Sequence, residues 1–125
     1  MLMKYGILIV SHVPEIAQGV AQLVAQAAPD ISITYTGGTE EGQLGSSFEL
    51  IQQAVQQNQG AEILAFYDLG SSKMNLEMVQ ETTTKVIHKF DVALVEGAYT
   101  AGTLAQIDSS WTTIAQSLKK LQLRK

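Results

Sequence analysis

The chain has 125 residues, of which 46% are hydrophobic and 16% are charged, and its formal net charge is -4. This composition favours one globular domain over residues 1–125 and excludes a disordered chain. The absence of cysteine excludes disulfides and thiolate chemistry, and the scattered basic residues exclude the basic patch of a nucleic-acid binder. No apolar run approaches the roughly 20 residues of a membrane span. We therefore expect a cytoplasmic protein without a leader sequence.

The first half of the chain alternates predicted strands and helices. Ile7 to Val10 is an unbroken apolar run, which predicts a strand buried on both faces. Pro14 suits the first turn of a helix, and Ser46 and Glu49 have the spacing of a capping box. The predicted elements are strands over residues 5–10 and 31–35, and helices over residues 14–28 and from Ser46 to about Asn58.

The second half repeats this alternation. Two further apolar runs predict a third and a fourth strand, and amphipathic segments between and after them predict helices. The predicted elements are strands over residues 62–67 and 91–95, and helices over residues 73–89, over residues 100–106 and from Asp108. Strands that alternate with helices predict an α/β three-layer sandwich. We expect a doubly wound, mainly parallel sheet of four or five strands with helices on both faces.

Polar side chains follow the predicted strands. His12 follows the first strand, Gly38 the second, Asp68 the third and Glu96 the fourth. Because the carboxyl ends of parallel strands meet at one edge of a sheet, we expect these residues to lie close together. An imidazole can hold a transferred group covalently, and a carboxylate bonded to its other ring nitrogen fixes its tautomer. We therefore predict His12 and Asp68 as the catalytic pair.

Glycines and hydroxyls at the same edge suit an anion such as phosphate. Glycines let backbone amides approach an anion, and helix N-termini favour negative charge. The sole arginine, Arg124, lies in a basic cluster near residue 125, interpreted with Lys125 as a solvated helix end. The candidate phosphate-binding residues are Gly38, Thr39, Ser46, Gly70, Ser71 and Ser72. Turn geometry and helix capping are the structural alternatives for these residues.

Four motifs of the chain resemble, in the same order, those of a known family: Ile7 to His12, Leu44 to Ser47, Tyr67 to Ser72 and Leu94 to Gly97. They resemble the mannose-type enzyme IIA domains of the bacterial phosphotransferase system, and within that family the branch that serves dihydroxyacetone kinases. The resemblance implies that His12 accepts a phosphoryl group from the histidine-containing phosphocarrier protein. It implies transfer onward to ADP on the nucleotide-binding kinase subunit, a homodimer, and no metal or other cofactor in this chain.

Several other functions are open to the same residues. A IIA component of a mannose-type sugar transporter would share the whole pattern. A tetrapyrrole metal chelatase would also place His12 at a strand end, with Asp68 as a second ligand, and a regulatory module would bind a small anion there. His88 is interpreted as a surface residue near the end of a helix. A nucleotide-binding P-loop is excluded, because no lysine follows the paired glycines.

Overall fold

A computed structural model describes residues 3–125, in which four strands alternate with helices. No helix in this range is both long enough and apolar enough to cross a membrane. The elements are β1 (Tyr5–Ser11), α1 (Pro14–Ala27), β2 (Ile33–Gly37), α2 (Phe48–Gln57), β3 (Glu62–Tyr67), α3 (Gly70–Thr82), β4 (Val86–Phe90), α4 (Leu94–Gln106) and α5 (Trp111–Lys119).

The strands form one parallel sheet in the order β2-β1-β3-β4. After β1 the chain turns to β2 on one side, and after β2 it crosses to β3 on the other side. The carboxyl ends of β1 and β3 therefore adjoin at the point where the winding direction reverses. In open α/β sheets this is the position of the ligand crevice. The predicted parallel α/β sheet is confirmed.

Helices cover both faces of the sheet and bury two separate hydrophobic clusters. All seven residues of β1 are buried. Ile7 and Ile9 pack with α1, α4 and α5 on one face, whereas Leu8 and Val10 pack with α2 and α3 on the other. Successive side chains of a strand point to opposite faces, so an unbroken apolar sequence was needed. This burial fixes the end of β1, and with it the position of His12.

The fourth strand begins earlier in the sequence than predicted. The helix expected over residues 73–89 ends at Thr82, and β4 occupies Val86–Phe90. Residues 91–95, predicted as a strand, instead lead into α4, so Glu96 lies in the first turn of that helix rather than at a strand end. Three consecutive threonines end α3, because β-branched side chains lose rotamer freedom in a helix. As an edge strand β4 buries only Ile87 fully, which leaves a weak apolar pattern.

Two helices also begin one or more residues later than predicted. Ser47, rather than Ser46, caps α2 by accepting a hydrogen bond from the Leu50 amide at 3.2 Å. Ser110, rather than Asp108, caps α5. Asp108 has a φ of 57°, a left-handed conformation that aspartate tolerates better than most residues and that suits the preceding turn.

Candidate active site

His12 and Asp68 meet where β1 and β3 end. The register pairs Val10 with Tyr67, so the residues that follow these strands emerge side by side. Nδ1 of His12 lies 2.8 Å from Oδ1 of Asp68, and the backbone amide of His12 donates to Oδ2 at 2.9 Å. The side chains are 19% and 17% exposed, respectively. The carboxylate therefore holds both the ring and the backbone of His12.

Asp68 also accepts hydrogen bonds from the Ser11 hydroxyl and the Leu69 amide, both at 2.7 Å. Burial alone would raise the pKa of Asp68, but its hydrogen bonds with His12, Ser11 and Leu69 outweigh burial and lower that pKa below the ordinary 3.8. The carboxylate is ionised at neutral pH and accepts a hydrogen bond from the N–H group at Nδ1 of His12. The neutral imidazole then carries its lone pair on Nε2.

Two serines in the first turn of α3 contact different sides of the imidazole. The Ser71 hydroxyl contacts Nε2 of His12. The Ser72 hydroxyl is buried, lies 3.1 Å from Nδ1 and donates to Oδ1 of Asp68 at 3.4 Å. Ser71 is thus beside the nitrogen that carries the lone pair, whereas Ser72 supports the orientation of the ring.

Two backbone amides in the first turn of α3, the helix that carries Ser71, are available to an acceptor. Leu69 is the N-cap residue, and its side chain caps nothing. Among residues 3–125, the amides of Gly70 and Ser71 have no hydrogen-bond acceptor. Such amides, together with the helix dipole, favour an anion. An anion attached to Nε2 would meet the Ser71 hydroxyl, and these two amides lie in the same first turn of α3.

Gly38, Thr39 and Ser46 lie in the loop that borders the crevice, and their hydrogen bonds hold that loop in place. A fifth bond, from the Gly45 amide to the His12 carbonyl at 3.1 Å, ties the loop to the site. The structure therefore places this loop beside His12, but the backbone amides of Gly38 and Thr39 are already paired and the Ser46 hydroxyl accepts a hydrogen bond from Asn75. The bonds are Gly38 N to Ser11 O (3.2 Å), Thr39 N to Gln43 O (2.9 Å), Gln43 N to Thr39 Oγ1 (3.1 Å) and Asn75 Nδ2 to Ser46 Oγ (2.7 Å).

Two residues at the site were not predicted from the sequence. Ser11 is fully buried, and its hydroxyl donates a hydrogen bond to Asp68. The sequence could have indicated this role, because a hydroxyl at the end of a buried apolar strand needs a hydrogen-bond partner. Lys125, interpreted as part of a solvated helix end, instead donates from Nζ to the carbonyl of Tyr67. Because α5 ends at Lys119, no helical periodicity indicated this position.

His88 lies on β4 rather than on a helix, so that part of its interpretation is wrong. Its Nε2 is 2.6 Å from a carboxylate oxygen of Glu62, and its ring centroid is 4.2 Å from that of Trp111. It pairs with Leu64 in the middle of β3, whereas Asp68 follows the end of that strand. His88 is therefore not part of the site. Within residues 3–125, no three His, Cys, Asp or Glu side chains cluster where they could hold a metal ion.

The chain was also compared with known protein families. A family model, EIIA-man, described as the fructose IIA component of the phosphotransferase system (PTS), matches residues 6–115. The chain belongs to the EIIA-man family. The family predicted from the four sequence motifs is thereby confirmed.

Curated relatives of this EIIA-man chain match it from end to end. It is 44% identical over 123 residues to the phosphotransferase subunit DhaM of a PTS-dependent dihydroxyacetone kinase from Lactococcus lactis, a match covering 98% of this chain and 100% of that protein. It is 40% identical over 124 residues to the phosphoryl donor subunit DhaM of a PEP-dependent dihydroxyacetone kinase from Listeria innocua, covering 99% and 100%.

Two solved structures share the fold of this chain. The crystal structure of EF1359, a protein of unknown function, superposes with a TM-score of 0.83 at 30% identity over 98% of each chain. A sigma-54 interaction domain protein from Enterococcus faecalis superposes with a TM-score of 0.71 at 14% identity, covering 96% of this chain and 91% of that one. The second likeness concerns the fold alone.

Proposed function

We propose that this chain is the phosphoryl-donor subunit of a PEP-dependent dihydroxyacetone kinase. Nε2 of His12 accepts a phosphoryl group from the histidine-containing phosphocarrier protein and passes it to ADP bound on the nucleotide-binding kinase subunit. The observation that carries this proposal is the 2.8 Å bond between Nδ1 of His12 and Asp68, which leaves the lone pair of the ring on Nε2, in contact with the Ser71 hydroxyl. The DhaM relatives support a kinase rather than a sugar transporter as the destination.

The first transfer is an exchange of phosphorus–nitrogen bonds. The Nε2 lone pair attacks the phosphorus, and the bond to the carrier's histidine breaks with its electron pair retained by the leaving imidazole. The His12 ring gains positive character as the new bond forms. Asp68 stabilises that charge through Nδ1 and keeps the ring aligned for attack.

The phosphoryl oxygens carry most of the negative charge during the transfer. In this proposal they bind the Ser71 hydroxyl and the amides of Gly70 and Ser71, which are fixed before the reaction and need no reorganisation. Ser72 orients the dyad from the Nδ1 side. Gly38, Thr39 and Ser46 shape the wall of the crevice. Transfer to ADP reverses the same exchange, with a β-phosphate oxygen of ADP as the attacking atom.

Both partners must reach the same nitrogen, so the site has to be open. Leu69 is 61% exposed and Met74 68% exposed, and both lie at the α3 end that carries Ser71. We propose that these two apolar side chains contact the phosphocarrier and the kinase subunit in turn. The family resemblance further leads us to propose a homodimer, which sedimentation velocity would detect.

Reconstitution of the two transfers tests this function. Incubation with phosphoenolpyruvate, enzyme I and the phosphocarrier should add one acid-labile phosphoryl group, measured by intact-protein mass. The added mass should be absent in His12→Ala and retained in His88→Gln, the matched control for the other histidine. Adding the ADP-loaded kinase subunit should discharge the label and produce ATP.

Three results would contradict the proposal. They are no incorporation in the wild-type chain, incorporation that persists in His12→Ala, and a label that the ADP-loaded kinase subunit cannot remove. Discharge only to a IIB component of a transporter would favour the transporter alternative instead.

A further inference from the structure

The segment after α5 returns to the edge of the sheet that carries the active site. It runs antiparallel to the residues that follow β4 and is held to them by backbone pairing. Leu121 also packs against the hydrophobic cluster beneath it. The pairings are Ala93 N to Leu121 O (3.0 Å), Leu123 N to Asp91 O (2.9 Å) and the bridge between Val92 and Gln122. This pairing directs Lys125 towards the end of β3.

Lys125 lies beside the end of β3 and the start of α3. Its Nζ donates to the carbonyl oxygen of Tyr67, the residue before Asp68, and lies 4.3 Å from the centroid of the Tyr67 ring. The β3–β4 register ends with Phe66 and Phe90, so Tyr67 has no β4 partner. A Cβ placed on Gly70, the first residue of α3, would be 3.7 Å from the Lys125 carbonyl carbon. Lys125 therefore contacts the strand before Asp68 and lies close to the start of the helix that begins with Gly70.

Lys125 differs in its ion pairing from Lys73 and Lys89, the two other lysines in this region. Lys73 and Lys89 form ion pairs with Asp91 at 3.5 and 2.8 Å. Within residues 3–125, no carboxylate side chain lies within 4.0 Å of the Lys125 Nζ. Asp68, Asp91 and Lys89 are the charged groups whose fields reach it.

The titration of Lys125 reflects both its burial and these neighbours. Burial lowers its pKa, and the repulsion from Lys89 acts in the same direction, while Asp68 and Asp91 oppose the shift without cancelling it. The Tyr67 hydroxyl is neutral, because burial and its hydrogen bond to Asp91 raise its pKa. In the contact between Lys125 and Tyr67, the group that changes its charge as pH rises is therefore the Lys125 ammonium.

We propose that Lys125 is a positioning residue for phosphoryl transfer at His12. Its hydrogen bond fixes the Tyr67 carbonyl and hence the turn that carries Asp68, and its charge offsets negative charge that arrives at the site. A phosphoryl group brings about two negative charges near neutral pH, next to an Asp68 carboxylate that is already ionised. The sole arginine, Arg124, is exposed in the same segment. This inference rests on the proposed function of His12.

Three variants separate charge from packing. Lys125→Gln removes the charge but keeps an amide donor, Lys125→Arg keeps the charge, and Lys120→Gln removes one exposed charge as a matched control. Phosphorylation rates are measured with the phosphocarrier near neutral pH. At alkaline pH the phosphorylation rates are measured with phosphoramidate, a small phosphoryl donor, so that the pH dependence of the carrier proteins does not affect the result. Thermal unfolding of each variant reports any loss of packing.

We expect Lys125→Gln to be phosphorylated about two- to fivefold more slowly, the effect of losing a partly exposed charge interaction. Lys125→Arg should stay within about twofold of the wild type, and Lys120→Gln should match it. As pH rises through the pKa of Lys125 the ammonium is lost, so the wild-type rate should fall. The arginine variant stays charged, so its fall should move to higher pH.

Two results would overturn the inference while His12 remains the acceptor. One is an unchanged rate in Lys125→Gln. The other is equal slowing in Lys125→Gln and Lys125→Arg with the wild-type pH profile, which would reduce Lys125 to a packing contact. A wild-type chain that takes up no phosphoryl group at His12 would overturn the proposed function itself, and this inference with it.

Discussion

Asp68 holds His12 at two points. One carboxylate oxygen lies 2.8 Å from Nδ1 of the ring, and the other accepts the His12 backbone amide at 2.9 Å. The first contact sets the tautomer and the second sets the position of the residue along the end of β1. Asp68 follows β3, and His12 follows β1. Because β1 and β3 are paired in the sheet, the position of Asp68 relative to the imidazole is fixed.

Replacing Asp68 by asparagine should slow phosphorylation of His12 by about 10- to 100-fold. The variant keeps the shape of the side chain but loses a charge-assisted hydrogen bond worth about 1.5–3 kcal/mol. Initial rates with the phosphocarrier measure the effect. Asp108→Asn, which alters an exposed aspartate whose left-handed conformation asparagine also tolerates, is the matched control. Equal rates in Asp68→Asn and the wild type would show that Asp68 does not orient the nucleophile.

The Asp68 carboxylate should also make stability depend on pH in the acid range. Its pKa in the folded state lies below the ordinary value of 3.8. Its contribution is therefore complete above pH 3.8 and is lost as pH falls through the lower, folded-state pKa. Urea unfolding of the wild type and Asp68→Asn should show a difference in free energy that shrinks as pH falls below 3.8. A difference that stays constant over that range would contradict the lowered pKa.

Ser71 and Ser72 should respond differently to alanine. Ser71→Ala removes an exposed hydroxyl beside Nε2, so phosphorylation should slow about three- to tenfold with an unchanged melting temperature. Ser72→Ala removes a buried hydroxyl bonded to the dyad, so the free energy of unfolding should fall by about 0.5–1.5 kcal/mol. Rate assays and urea unfolding of both variants measure the contrast. A slower Ser72→Ala beside a fully active Ser71→Ala would reverse the assigned roles.

Gly38 is required by both its conformation and its surroundings. Its φ is 75°, and a Cβ there would lie 2.9 Å from the Gln43 carbonyl oxygen, whereas Gly42, with a φ of 80°, has open space. Gly42→Ala should cost about 1–2 kcal/mol for the left-handed conformation alone, and Gly38→Ala should cost more. Gly19→Ala, on the exposed face of α1 with nothing nearby, should instead stabilise by about 0.5–1 kcal/mol. Chemical unfolding measures the free energy of unfolding of the three variants. Equal losses of stability in Gly38→Ala and Gly42→Ala would show that the close contact of a Cβ at Gly38 with Gln43 costs nothing.

The meeting of His12 and Asp68 was predictable because the two strands that precede them have clear apolar sequences. β1 and β3 are almost entirely apolar, and strand–helix alternation requires them to be parallel. His12 and Asp68 follow these strands directly, so their meeting needs no long-range loop. Ser71 and Ser72 were predictable for the same reason, since they begin the helix that follows β3.

The rest depended on tertiary contacts that no local pattern records. β4 lies at an edge, and its polar His88 and Lys89 are held by partners on other elements, namely Glu62 and Asp91. α4 contains two glycines that disfavour a helix in isolation, yet Gly102 lets the helix approach Val24 of α1 closely. Lys125 reaches the site only because the chain turns back after α5.

The position of the phosphoryl group on the protein can be determined by NMR of the chain labelled with ¹⁵N-histidine and phosphorylated through enzyme I and the phosphocarrier. We expect phosphorylation of His12 at Nε2, with Nδ1 retaining the proton that it shares with Asp68. A phosphoryl group on Nδ1 of His12, on His88 or on no histidine would contradict the account of this site.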